Sequence, residues 1–299
     1  MAFFEEHSGV SFYSDTDLSG TIARLFVYPV KSCAGIELQQ ALLTESGLDL
    51  DRAWMVVDAD GVFLSQRTLP RMALIRPQLK SEEMVLRAPG MLALHVALDA
   101  VEEPATVTVW KDTVPAWDMG AIAAQWLSDF LGQRCRLIRF DPDVRRLSSM
   151  DWTGGLEAPN QFADGFPLLV TSEASMGELN RRLAAVGHAP VRVERFRPNV
   201  VLAGVEAHDE DRMDMVLIGV GAEGEIHLQP VKPCARCPVP DIDPVTAIPS
   251  AAVGEALRAY RQDQRLEGAV TFGMNAIVRR GAGQMLRVGQ SLAANLRFE

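Results

Sequence analysis

The stretch "RAWMVVDADGVFLSQ", residues 52–66, carries a clear fold signal. Two apolar arms, Trp54–Val57 and Val62–Leu64, flank "DADG", where Gly61 can adopt the left-handed conformation that closes such a turn. The spacing predicts a β-hairpin. Similar runs lie on either side of it. "TIARLFVYPV" (21–30) reads as a strand ending at Pro29, and "MVLRAP" (84–89), "MLALHVAL" (91–98) and "ATVTVW" (105–110) follow with turn residues between them. Short strands at this spacing predict an antiparallel sheet or partial barrel.

Further along, Asp118 is expected to cap a helix over "MGAIAAQWLSDFL" (119–131), with Ile122, Trp126 and Phe130 on one face and Gly132 as its stop. "CRLIRF" (135–140) returns to strand. Residues 141–165 are rich in Pro, Gly, Ser and Asp and mark a domain boundary. The second half opens with "FPLLVTS" (166–172), a strand running into a helix over 173–187 with Ser172 as its cap. "NVVLAG" (199–204), "DMVLIGV" (214–220), "EIHLQPV" (225–231), "AIVRRG" (276–281) and "QMLRVGQSL" (284–292) supply more strands, and a helix is expected over 251–261. The fold class is α+β, dominated by strands, with a flexible N-terminus over 1–20 and two domains, 21–145 and 155–299.

With 299 residues and 48% hydrophobic content, the chain can bury a large core. No apolar run reaches membrane-span length, and the start lacks a signal peptide's basic and apolar regions, so a cytoplasmic protein without a membrane partner is expected. A net charge of −10 argues against nucleic-acid partners. Local cation clusters then gain weight: Arg52, Arg67 and Arg71; Arg192, Arg195 and Arg197; Lys232 and Arg236. No glycine-rich dinucleotide or phosphate-binding loop is present.

"VKPCARCPVP" (231–240) holds two of the four cysteines, and a pair at this spacing admits several chemistries. A structural zinc needs four ligands, and no second pair or histidine spacing supplies them. A redox disulfide of the thioredoxin type wants the pair opening a helix, whereas Pro238 and Pro240 follow here. An inert loop pair is a third reading. The fourth is one thiolate on a soft, redox-active metal, favoured by neighbouring cations and a proline-stiffened loop. Such a metal would be held chiefly through an anionic organic cofactor. Asp164, Asp241 and Asp243 stand beside Gly or Pro and read as turn residues.

The segments "VYPVKSCAGIEL", "GLDLDRAWMVVDADGVFLSQR", "FADGFPLLVTSEASMGELNRRL", "ERFRPNVVLAG", "VKPCARCPVPDIDPVTA" and "FGMNAIV…GQMLRVGQSL" resemble, in order, MOSC proteins with an N-terminal MOSC β-barrel domain. That group includes the amidoxime-reducing components and their bacterial relatives. The resemblance runs from about Thr21 to Leu292. It implies an N-terminal β-barrel-like domain followed by a MOSC β-barrel with flanking helices. It also implies a molybdenum cofactor, with Cys237 as metal ligand and catalytic centre and Cys234 as a neighbour. Lys31, Ser32, Arg52, Ser172, Arg197, Asn199 and Arg236 are carried over as cofactor contacts. The implied activity is reduction of small N-hydroxylated compounds. No cysteine follows Cys237, so no iron–sulfur cluster is expected in this chain and a separate electron-transfer protein must serve it. Met213 stands where the family commonly has Trp. The alternative is a cofactor or sulfur carrier without turnover of its own.

Overall fold

The computed structural model describes residues 16–219 and 224–297. Of the expected flexible segment 1–20, residues 1–15 lie outside this range. Leu18–Gly20 are already strand, the start of β1 (Leu18–Val27).

The N-terminal half is built around a four-stranded sheet of β2 (Trp54–Val57), β3 (Glu103–Val109), β4 (Asp112–Asp118) and β5 (Arg136–Phe140), in the order β2-β5-β4-β3. A three-stranded meander, 76–79, 83–87 and 94–97, closes over the same core. The expected hairpin is only half present. Gly61 takes a φ of 76°, but the arm 62–64 forms isolated bridges, and β2 pairs along its length with β5 instead. β5 offers a continuous four-residue register, which outweighs the local turn.

Helix α1 (Gly120–Leu131) buries Ala123, Trp126, Leu127 and Phe130 against this core. That i, i+3, i+4, i+7 stripe leaves Ile122 80% exposed, against the expected face. Asp118 accepts the Gly120 N–H at 2.8 Å, and Gly132 stops the helix at a φ of 75°.

The second half is a closed seven-strand barrel. Its strands are β6 (Leu168–Ser172), β7 (Val200–Ala203), β8 (Met213–Ile218), β9 (Ile226–Ala235), β10 (Ala269–Arg280) and β11 (Ser291–Leu296), together with β1. The ring runs β6-β7-β1-β11-β8-β9-β10 and returns to β6. β1 therefore belongs, in space, to the barrel of the other half, where Ile22 and Leu25 share its core with Leu202 and Ala294. The parallel pair β6 and β7 is joined through α2 (Glu173–Ala185), which packs with α3 (Ala252–Arg258) on one side of the barrel. Pro230 and Pro233 lie within β9, each beside a break in register with β10 that accommodates a residue lacking an N–H.

Candidate functional site

The cysteine pair sits where β9 runs out. Cys234 is near its end, and Cys237 follows Arg236, whose N–H is anchored on the Val270 carbonyl of β10 at 2.8 Å. A short 3-10 turn over Val239–Asp241 then leads the chain away. The opposite wall comes from the N-terminal half. Residues 28–31 run beside 52–54, joined by Arg52 N to Tyr28 O (2.8 Å), Trp54 N to Pro29 O (3.0 Å) and Lys31 N to Trp54 O (2.8 Å). This ladder puts Lys31 and Arg52 on one surface. The loop before β7 brings Arg197, and the segment before β6 brings Asp164.

These groups line one cavity between the two halves: Lys31, Ser32, Arg52, Arg197, Asn199, Arg236 and both cysteines of the pair. Seven of the eight expected site residues therefore meet. Ser172 does not line it. Its hydroxyl caps α2 through the Ser175 N–H (3.1 Å) and donates to Glu210 (2.9 Å), fully buried. Ser32, Arg52 and Arg197 all have positive φ, at 64°, 53° and 59°. Three non-glycine residues in that region at one cavity mark a wall held in a sparsely populated backbone form.

The cations differ in how they are compensated. Lys31, 5% exposed, donates to the Phe162 carbonyl (2.8 Å) and pairs with Asp164 (2.5 Å). Burial pulls its ammonium below its ordinary value, with Asp164 opposing. Arg52 pairs with buried Asp51 and reaches Asn199 Oδ1 (3.1 Å) and the Arg197 carbonyl (3.0 Å). Asn199 also accepts the Leu169 N–H (3.1 Å) and donates to the Phe26 carbonyl (3.2 Å), so it braces the wall. Arg197 and Arg236 have no carboxylate partner among the described residues. The Arg197 guanidinium donates to the Cys33 carbonyl and lies 4.3 Å from the centre of the Tyr28 ring, with Arg52 at 4.4 Å from the same ring. Burial and the nearby Arg52 push Arg197 down to about 10. Arg236 donates to Cys234 Sγ (3.0 Å) and the Phe196 carbonyl (2.9 Å), while its buried Nε finds no acceptor.

Each sequence cluster of cations contributes one member only. Lys232 lies over the Trp152 ring, Arg71 over Phe130, and Arg195 pairs with Asp243. Cys33 and Cys135 are buried in the N-terminal core, and burial pushes the Cys33 thiol up to about 12. No group of three or more His, Cys, Asp or Glu side chains with metal-binding geometry occurs among the described residues, so a zinc held by side chains alone has no ligand set there. Asp243 serves its turn, as expected, through Val245 and Thr246 N–H, whereas Asp241 accepts the Gly254 N–H in the first turn of α3. Asp164 differs: it lines the cavity and holds Lys31. The signal for it was Lys31 itself, since a buried ammonium requires a partner.

Residues 19–134 match the model of the MOSC N-terminal beta barrel domain, and residues 157–293 match that of the MOSC domain. Mitochondrial amidoxime-reducing component 1 of Mus musculus is 34% identical over 252 residues, 81% of this chain and 72% of that protein. The chain belongs to the MOSC family. The Homo sapiens protein of the same name is 34% identical over 256 residues, again 81% of this chain and 72% of that protein. Molybdenum cofactor sulfurase of Bos taurus is 31% identical over 278 residues, 87% of this MOSC chain but 30% of that longer protein. The expectation of a cytoplasmic location is corrected here. The amidoxime-reducing relatives are mitochondrial by name. No helix among the described residues is long and apolar enough to cross a membrane.

An anionic cofactor fits this chemistry. Two guanidiniums without carboxylates, one of them with a buried N–H lacking an acceptor, face a cavity that also carries a free thiol. Negative charge with several acceptors satisfies the two guanidiniums and the orphan N–H, and the thiol is a donor for a soft metal.

Proposed function

We propose that this MOSC chain reduces N-hydroxylated compounds with a molybdenum cofactor held between its halves, drawing electrons from a separate redox protein. The supporting observation is the meeting of Cys237 with Arg197 and Arg236, the two cavity cations left without carboxylates. The name of the amidoxime-reducing relatives describes the same reaction class. Bound there, the cofactor would supply two-electron oxygen-atom chemistry. Cys237 would ligate the metal, and its place between the end of β9 and a proline-led turn would fix the direction of its sulfur. Arg197 and Arg236 would grip the anionic part, with Ser32 and Lys31 on the facing wall. Arg52 and Asn199 would keep Arg197 in place. In the net reaction, an N–OH group takes two electrons and two protons to give N–H and water.

The test is donor consumption. Cofactor-loaded protein given reduced viologen with hydroxylamine or benzamidoxime should oxidise the donor, and Cys237→Ser should abolish this. A second reading is a cofactor or sulfur carrier, favoured by the similarity to molybdenum cofactor sulfurase. Stoichiometric molybdenum without any donor consumption would select it.

A further inference from the structure

Trp110 occupies the first loop position between β3 and β4, where Val109 pairs with Asp112 across a two-residue turn. Its φ is 57°, a conformation such turns normally give to Gly, Asn or Asp. A bulky aromatic there is strained, and this one is also 44% exposed. Neither property helps the fold. Its surroundings indicate another use. The indole N–H donates to Asp164 Oδ1 at 3.1 Å, the same oxygen that takes Lys31 Nζ at 2.5 Å. Asp164 lines the cavity that holds Cys237, so Trp110 is joined to that cavity's wall through Asp164.

Two further side chains steady the ring. The Arg67 guanidinium lies 4.4 Å from the Trp110 ring and 5.7 Å from that of Phe63, and the Phe63 and Trp110 rings are 5.1 Å apart at 49°. Arg67 donates to Ser65 Oγ at 3.2 Å and has no carboxylate partner among the described residues. Phe63 also meets the Lys31 ammonium, 5.4 Å from its centre. A chain of aromatic and cationic groups thus leads from the surface to the buried lysine.

We propose that Trp110 is a specificity-determining residue of this site, favouring N-hydroxylated substrates with a planar conjugated group over small aliphatic ones or hydroxylamine itself. The ring stacks the planar group, and Asp164 accepts from an amidine-type N–H through the oxygen that Lys31 and Trp110 do not use. This rests on the reductase reading above, and the experiment separates the two. Benzamidoxime and hydroxylamine are compared as substrates of wild type, Trp110→Ala and Trp110→Phe, with reduced viologen as donor. Trp110→Ala should raise KM for benzamidoxime about tenfold more than for hydroxylamine, with kcat for benzamidoxime within about twofold of wild type. Trp110→Phe, which keeps a ring, should recover most of that loss. Equal KM effects on both substrates would overturn the assignment. Independently of turnover, benzamidine titrated into each variant should bind about tenfold more weakly to Trp110→Ala, read by calorimetry. If no variant turns over either substrate, the reductase reading fails, while a Trp110-dependent benzamidine affinity still supports the platform. Benzamidine affinity unaffected by Trp110→Ala removes it.

Discussion

Single residues carry the charge balance of the cavity. Arg197 combines a donor fork, a carbonyl partner on Cys33 and an aromatic partner in Tyr28. Lysine offers a point charge and no such plane. Arg197→Lys should therefore lower bound molybdenum and pterin per chain about tenfold after gel filtration, with an unchanged melting temperature of the cofactor-free form. A second residue, remote from the cavity, sets an acid limit. Both ring nitrogens of His208 are buried without partners among the described residues, against Tyr260 and Phe272, with Arg261, Arg182 and Glu178 as the charges around it. Burial, aided by Arg261, pushes its imidazole down to about 4. Above the unfolded value near 6.5, both states hold neutral histidine and nothing is lost. As pH falls from there towards 4, the unfolded chain takes up a proton that the folded chain refuses, and stability drops by at most about 3 kcal/mol. Urea melts at pH 7, 5 and 4 should show this slope. His208→Asn, which tolerates the local φ of 69°, should flatten it.

At the scale of elements, the junction of β6 with α2 depends on one buried carboxyl. Glu210 accepts from Thr171 (3.3 Å), Ser172 (2.9 Å) and Ser175 (2.6 Å) and has no exposed surface. Burial raises its pKa. A neutral acceptor of the same shape should then serve nearly as well. Glu210→Gln is expected to cost about 1 kcal/mol and Glu210→Leu about 3 kcal/mol, measured by urea unfolding, because the leucine strands three hydroxyls. Ser172 was legible from sequence as a helix cap but not as Glu210's partner, since the two lie in separate elements. The same boundary limited the site. Cys237, Arg197 and Lys31 were legible through motifs, whereas Trp110 reads as the end of a strand and Asp164 as a turn residue until the two segments meet. Ile122 shows the limit within one element: a four-residue step drifts off the buried stripe that Ala123, Trp126, Leu127 and Phe130 define. Gly273 in β10 shows the reverse, a residue whose need is purely spatial. A Cβ there would stand 2.7 Å from the Val170 carbonyl, at a φ of 75°. Gly273→Ala should cost about 2–3 kcal/mol, read as a lowered melting temperature.

Across the whole molecule, a net charge of −10 surrounds a cavity whose unpaired side chains are cationic. Millimolar pyrophosphate should accordingly raise the melting temperature of cofactor-free protein by a few degrees, and an Arg197→Ala/Arg236→Ala double variant should lose that shift. The strand and helix content was readable residue by residue, because period-2 runs and caps are local. The home of β1 was not, because nothing in "TIARLFVYPV" specifies a partner 270 residues away. That pairing, Leu18–Thr21 against Ser291–Ala294, governs how the protein is born. During synthesis β1 must wait for β11 before the barrel can close, so this part of its edge stays uncovered while the residues between them are made. During that interval the nascent chain offers a sticky edge to chaperones and to other copies of itself.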